Sequence, residues 1–399
     1  MKLVKSLLLG SVAGLAAVAG AQAADLPAKK AAAVEYVRVC STYGSGFFYI
    51  PGTDTCLRVG GRVRAEFRYL EPEDRTDDAT GFRARGRIQL DARTATAYGL
   101  LRTFVRFEMT RDTGVYGFSS TSANVDQAFV QFGGLTAGRA MTFFDNGDVD
   151  TQSFGTIRWS DQPNVNLFAY TFSFGNGFSA SLSVEEPRYA DRSGLAVGGE
   201  LAGQRMPDVV ANVKYAGTWG SIQVSGALHQ LRGLPFVVGT GATVYNADTD
   251  YGYAVSAQAN FNLPMLGAGD ALWIVGTYTD GAPAYAGFGS AREAVYEFTA
   301  GNPDADIENA RAWQVAAGIR HYWTPELRQN LFGSYGRIDY DAAFGLADSR
   351  EWRVGTNLLW SPVSGLNIGP EVLYANTDVS GAGGRDDRWE ARFRVQRDF

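Results

Sequence analysis

The most restrictive feature of the chain is the alternation in RVGGRVRAEFRYL, which begins at Arg58. Its even positions are Arg58, Gly60, Arg62, Arg64, Glu66 and Arg68, and its odd positions are Val59, Gly61, Val63, Ala65, Phe67 and Tyr69. Successive side chains on a β-strand point to opposite faces, so this segment predicts a strand with one apolar face and one face crowded with guanidinium groups. The pattern recurs. FRARGRIQLDAR sets Phe82, Ala84, Ile88 and Leu90 against Arg83, Arg85, Arg87, Gln89 and Asp91. LLRTFVRFEMTRD sets Leu101, Val105, Phe107 and Met109 against Arg102, Arg106 and Glu108. RWEARFRVQRDF, which ends the chain, sets Trp389, Ala391, Phe393, Val395 and Phe399 against Arg388, Glu390, Arg392, Arg394 and Asp398. Arg397 departs from the rule at a strand end, where a long side chain reaches an interface.

Applied along the chain, the same reading predicts about sixteen strands: 58–70, 82–97, 100–112, 123–132, 134–141, 165–174, 177–186, 208–216, 219–230, 251–262, 270–279, 311–323, 326–338, 350–361, 364–377 and 386–399. The 48 glycines and 51 Phe, Tyr and Trp suit an all-β chain with many turns. Links alternate between long (LEPEDRTDDATG, TGVYGFSSTS, 142–164, 187–207) and short (YG, GG, GNG, GTWG), as in an up-and-down antiparallel transmembrane β-barrel with short periplasmic turns and long outer loops. A sandwich would put the apolar face in a core and needs strands of only ~5–6 residues. A water-filled barrel inverts that assignment, apolar outside and polar inside. Tyr69, Phe82, Trp313, Trp323, Trp352, Trp360, Trp389 and Phe399 fall near strand ends on the apolar set, as aromatic girdles require. The barrel is the expectation.

Residues 1–23 have two lysines, an uncharged run and Ala21-Gln22-Ala23, the form of a cleaved export signal. The net charge of −6 argues against nucleic acid as a partner. Residues 24–57 form an N-terminal segment, and 58–399 the barrel. Cys40 and Cys56 have no CxxC spacing and no nearby His, so a disulfide is expected rather than a metal site. The acidic stretches EPEDRTDD and GNPDADIEN lack the spacing of an EF-hand loop. The two histidines, His229 and His321, are read as lumen-lining and interfacial; no nucleophile–base–orienter set is apparent, so no enzyme and no cofactor are expected.

In a closed barrel the last strand pairs with the first, so Arg392 and Arg394, Arg62 and Arg64, Arg85 and Arg87, and Arg102 and Arg106 would form one basic wall. Clustered guanidinium groups need water, counter-ions or carboxylates, and a wet lumen supplies the first two. The third long loop carries Asp145, Asp148 and Asp150. If it folds inward it would set an acidic surface against the basic one, and charged rings and pore width would govern passage. The reading from these residues leaves open whether it folds inward or stays in solvent.

The stretch ADLPAKKAAAVEYVRVCSTYGSGFFYIPGTDTCLRVGGRVRAEF resembles the start of the porins of alphaproteobacterial outer membranes. Phe399 is similar to the C-terminal aromatic by which the barrel-assembly machinery recognises its clients. The resemblance implies a sixteen-stranded homotrimeric general-diffusion porin in a Gram-negative outer membrane, among lipid and lipopolysaccharide, passing small hydrophilic solutes and ions. It also implies that the third loop constricts the pore with Asp145, Asp148 and Asp150 toward the arginines. A solute-specific channel, or an adhesin or receptor acting through the outer loops, is the alternative.

Overall fold

The structure, a computed structural model, describes residues 38–114, 119–188, 195–196, 202–237, 244–247, 249–298, 304–340, 346–380 and 384–399. The export signal expected over 1–23 lies outside them. The barrel strands are β1 (Cys56–Leu70), β2 (Thr80–Thr96), β3 (Gly99–Gly114), β4 (Ser120–Phe132), β5 (Leu135–Met141), β6 (Asn164–Gly175), β7 (Phe178–Glu185) and β8 (Asp208–Gly217). They continue as β9 (Gly220–Arg232), β10 (Thr249–Asn262), β11 (Ala271–Asp280), β12 (Arg311–Thr324), β13 (Leu327–Asp339), β14 (Ser349–Trp360), β15 (Leu366–Val379) and β16 (Gly384–Asp398). Each pairs antiparallel with the next, and β16 returns to β1 with Arg62 opposite Asp398 and Leu70 opposite Glu390. The sheet is therefore a closed sixteen-stranded barrel without a free edge.

Burial is inverted relative to a water-soluble fold. Glu66, Arg68, Asp91 and Glu108 are 2%, 5%, 1% and 7% exposed, while Val63, Phe82, Ile88 and Met109 are 60%, 62%, 59% and 64% exposed. Apolar outward positions recur on strands all around the wall, from Val59 and Phe107 to Val255, Leu331 and Val395. Soluble monomers rarely expose contiguous apolar patches above a few hundred Å². Water inside and hydrocarbon outside account for both halves of the pattern. The expected girdle residues are all outward, Trp323 at 61% and Phe399 at 67% among them.

Strand starts and ends agree with the alternation to within two or three residues almost everywhere. β1 begins earlier, at Cys56, so this cysteine is already part of the wall. The alternation of long and short links is looser than expected: the turn 263–270 is longer than the last outer loop, 380–383. At the seam, Phe399 exchanges backbone hydrogen bonds with Gly61 at 2.9 and 3.0 Å and lays its ring over that glycine. A Cβ at residue 61 would collide with the ring, so this strand interior requires glycine.

Cys40 and Cys56 form a disulfide with a Cα–Cα distance of 6.0 Å, packed with Phe47. It ties the N-terminal segment to β1. Closing a loop of this length is worth about 3 kcal/mol in the chain-entropy account. A Cys40→Ser/Cys56→Ser variant should keep its barrel but expose residues 38–55 to protease; unchanged cleavage kinetics would show that the paired segment 48–49 holds without the bridge.

Candidate functional site

The inner face of β16, β1, β2 and β3 carries the arginines. Register sets Arg62 opposite Arg87 and Arg64 opposite Arg85, two like-charge pairs across β1 and β2. Such pairs are destabilising alone, and carboxylates interleaved on the same face offset them. Glu66 takes Arg394 through Nε at 2.6 Å and approaches Arg83 at 3.8 Å. Glu108 takes Arg87 through Nε at 2.6 Å and meets Arg85 at 3.6 Å. Asp91 takes Arg102 and Arg93 at 2.9 and 2.8 Å. Asp126 takes Arg106 at 3.3 Å, Asp112 takes Arg83 at 2.7 Å, and Asp398 takes Arg62. Arg392 meets Glu390 at 3.3 Å. Arg64 is the exception: it donates to the amide oxygen of Gln396 at 2.9 Å and has no carboxylate within 4.0 Å among the described residues. Phe104, inward on β3, stacks on Phe129 at 5.3 Å beneath the guanidinium groups of Arg102 and Arg106.

The loop between β5 and β6, residues 142–163, is the third outer link, and it lies inside the barrel. Its backbone and side chains bond in order to the inner faces of distant strands. Asn212 donates to Phe143 O, and Asn146 meets Gln258 and Ser221. Arg328 donates to Gln152. Glu371 accepts from the backbone N–H of Phe154 at 2.6 Å and of Gly155, and Arg392 donates to Phe154 O at 2.5 Å. The returning half is held by Arg158, which pairs with Glu351 at 2.5 Å. The loop thus follows the wall from β8 to β16, and its tip touches the edge of the arginine cluster.

Its three acids have three different surroundings. Asp148 pairs with Lys214 at 2.7 Å, and Asp150 pairs with Arg320 at 3.1 Å. Asp145 does not reach open water: it is 2% exposed and accepts from Ser160, the Gln162 backbone and Gln258 at 2.5, 3.0 and 2.9 Å. It anchors the neck of the loop instead of presenting charge. Lys214, Arg320, Arg328, Arg353, Arg83, Asp112 and Asp126 add to the charged lining; the alternation places Arg83 on the inner face, but nothing local in the sequence couples Lys214 or Arg320 to the loop. His229, expected in the lumen, is buried with its Nδ1 2.7 Å from Asp208 and its Nε2 3.6 Å from Glu293, which comes from the link after β11. His321, near the end of β12, is partly exposed, with Nδ1 2.6 Å from Asp270 and its ring edge-on to Trp323.

Burial pushes the Asp145 carboxyl up, more than Arg188 and its donors pull it down. Asp161, part of whose surface stays open, is pushed up to about 6 by desolvation and then by Asp145. A raised carboxyl favours the folded loop at low pH, and that contribution is lost as pH rises through the folded-state value. Asp145→Asn should therefore gain thermal stability over the parent at neutral pH, and the gain should fade on acidification toward the ordinary carboxylate range. A difference in melting temperature that ignores pH would exclude Asp145 as the titrating group.

A profile of the porin subfamily matches residues 25–398, nearly the whole chain. The chain belongs to the porin family. Porin Omp2b of Brucella suis is 32% identical over 431 residues, covering 99% of this chain and all of that protein, and Porin Omp2b of Brucella abortus strain 2308 is 31% identical over 417 residues, covering 99% of each. Among solved structures, the outer membrane channel DcaP of Acinetobacter baumannii superposes with a TM-score of 0.69 at 16% identity, over 88% of this chain and 99% of that one. OmpT of Vibrio cholerae in its trimer form gives 0.54 at 12% identity, over 87% and 100%. At those identities the superpositions speak for the fold. As a porin, the chain is an outer-membrane channel, and the resemblance of its first strand to alphaproteobacterial porins holds over the full length.

Proposed function

We propose that this porin is a general-diffusion channel through which small hydrophilic solutes and ions pass passively, narrowed by loop 142–163 and filtered by the arginine wall of β16 and β1 to β3. The observation that carries the reading is the inward course of that loop together with an inner face on which arginines outnumber carboxylates. Because Asp148 and Asp150 are matched by Lys214 and Arg320, the field in the passage is set chiefly by the excess of arginine, so a modest anion preference is expected. Ordered water in such a field slows apolar solutes and spares polar ones.

The assembly we infer is a homotrimer among outer-membrane lipid and lipopolysaccharide. β5 has only seven residues, fewer than the ~9–11 a tilted strand needs to cross a bilayer. A neighbouring copy packed there would shield the low wall. Export with cleavage after Ala23 fits a family match that begins at residue 25, and Phe399 is the proposed assembly signal.

Single-channel recording of the refolded mature protein in a planar bilayer tests this reading. Large current steps that close in three levels support an open trimeric pore. A silent membrane, with the barrel shown intact by its heat-dependent gel shift, would overturn it in favour of a plugged barrel that acts through its outer loops.

A further inference from the structure

A cavity of about 270 Å³ lies beside the tip of loop 142–163, between Arg62, Arg64 and Arg394 on one side and Arg328 with Asp150–Phe154 on the other. We propose that it is a saturable binding site for a small dianion, inorganic phosphate being the simplest, on the path of the channel; this rests on the channel reading above. Several charged groups at its edge are already matched: Arg62 by Asp398, Arg394 by Glu66 and by the Phe154 ring 3.7 Å below it, and Asp150 by Arg320. Two cations are left over. Arg64 has only the Gln396 amide oxygen, and Arg328 has only the Gln152 amide oxygen at 2.8 Å, with its Nε–H buried and without a hydrogen-bond partner. Neither has a carboxylate within ion-pair distance among the described residues.

Two guanidinium groups without carboxylates facing one recess make a divalent anion the complement in charge. Their planar forks suit the paired oxygens of a phosphate or carboxylate. Arg85, directly across from Arg64, raises the positive potential further. A recess admits less water than the open lumen, so each charge acts more strongly there. Thr151 and Ser153 line the same space and can donate from their hydroxyls. The volume falls below the usual range for drug-sized ligands, about 300–1,000 Å³, which selects a small ion.

The test is chloride conductance of the full-length mature channel at mildly alkaline pH with increasing inorganic phosphate. The expected result is a saturable fall in chloride current, with the half-effect concentration raised about tenfold in Arg64→Gln and in Arg328→Gln, the scale of one lost charge-assisted contact. Chloride current that persists undiminished while phosphate rises would overturn the site and leave the channel intact. Block that is unchanged in both variants would likewise overturn it, since the anion would then sit elsewhere. A folded barrel that passes no chloride would remove both readings. The heat-dependent gel shift of each variant checks that the barrel has formed.

Discussion

Replacing Arg62, Arg64 and Arg87 together by serine should move the zero-current potential under a salt gradient toward cation preference and raise the conductance. Three positive charges leave the passage, Asp398 loses its partner Arg62, and Glu108 keeps only Arg85 at 3.6 Å. Both changes act in the same direction. A unit charge about 5 Å from a permeating ion is worth about 0.5 kcal/mol in water at about 0.1 M salt after screening. Removing three at that distance shifts anion and cation in opposite senses by about 1.5 kcal/mol each, so the anion-to-cation permeability ratio falls by more than about tenfold. Smaller side chains also widen the gap beside the loop tip, which raises current for both signs of ion. The lysine triple variant keeps the charge and should keep the parental potential. A serine variant with an unchanged zero-current potential would take these arginines out of the narrow part of the channel.

Glu371→Ala is expected to leave the barrel folded and to release the loop tip. The Glu371 carboxylate, 2% exposed, accepts from two consecutive backbone N–H groups of the loop, at Phe154 and Gly155, and from Asn357. Truncation leaves those donors without an acceptor in a tight site, about 1–3 kcal/mol for each group left unsatisfied. The tip also loses its registry with Arg392, which holds Phe154 O from the neighbouring strand. Open-channel current noise should rise and the melting temperature should fall, while Glu371→Gln, which keeps an acceptor oxygen, should recover part of both. Quiet currents in the alanine variant would mean that Arg158–Glu351 and the neck residues hold the loop without Glu371.

The wall of this protein was legible because its signal is local. Arg62 and Val63 differ in facing by one residue of pleat, and the same period returns on every strand, so the apolar set of β2 could be assigned from FRARGRIQLDAR without any partner strand. Closure followed from an even number of strands and a matching pattern at both ends of the barrel. Loop 142–163 was not legible in this way. Its partners Gln258, Arg328, Glu371 and Arg392 lie more than a hundred residues downstream, and no spacing in the loop announces them. Asp145 illustrates the difference: as a letter it matches Asp148 and Asp150, yet its neighbours bury it and theirs leave them half-exposed. His229 is similar, since a polar face marks it as inward but cannot say that Asp208 and Glu293 enclose it.

The sequence by itself determined strand number, facing, the basic inner wall and the cysteine pair, because alternation with a period of two and strand length act within one segment. Only the tertiary structure decided which carboxylate neutralises which arginine, where the third loop runs, and that Arg64 and Arg328 are left facing one cavity. Those outcomes depend on the register at which strands meet around a closed barrel. Register brings together groups from distant parts of the chain, and the cost of leaving a buried polar group unmatched then selects among the arrangements that the wall permits.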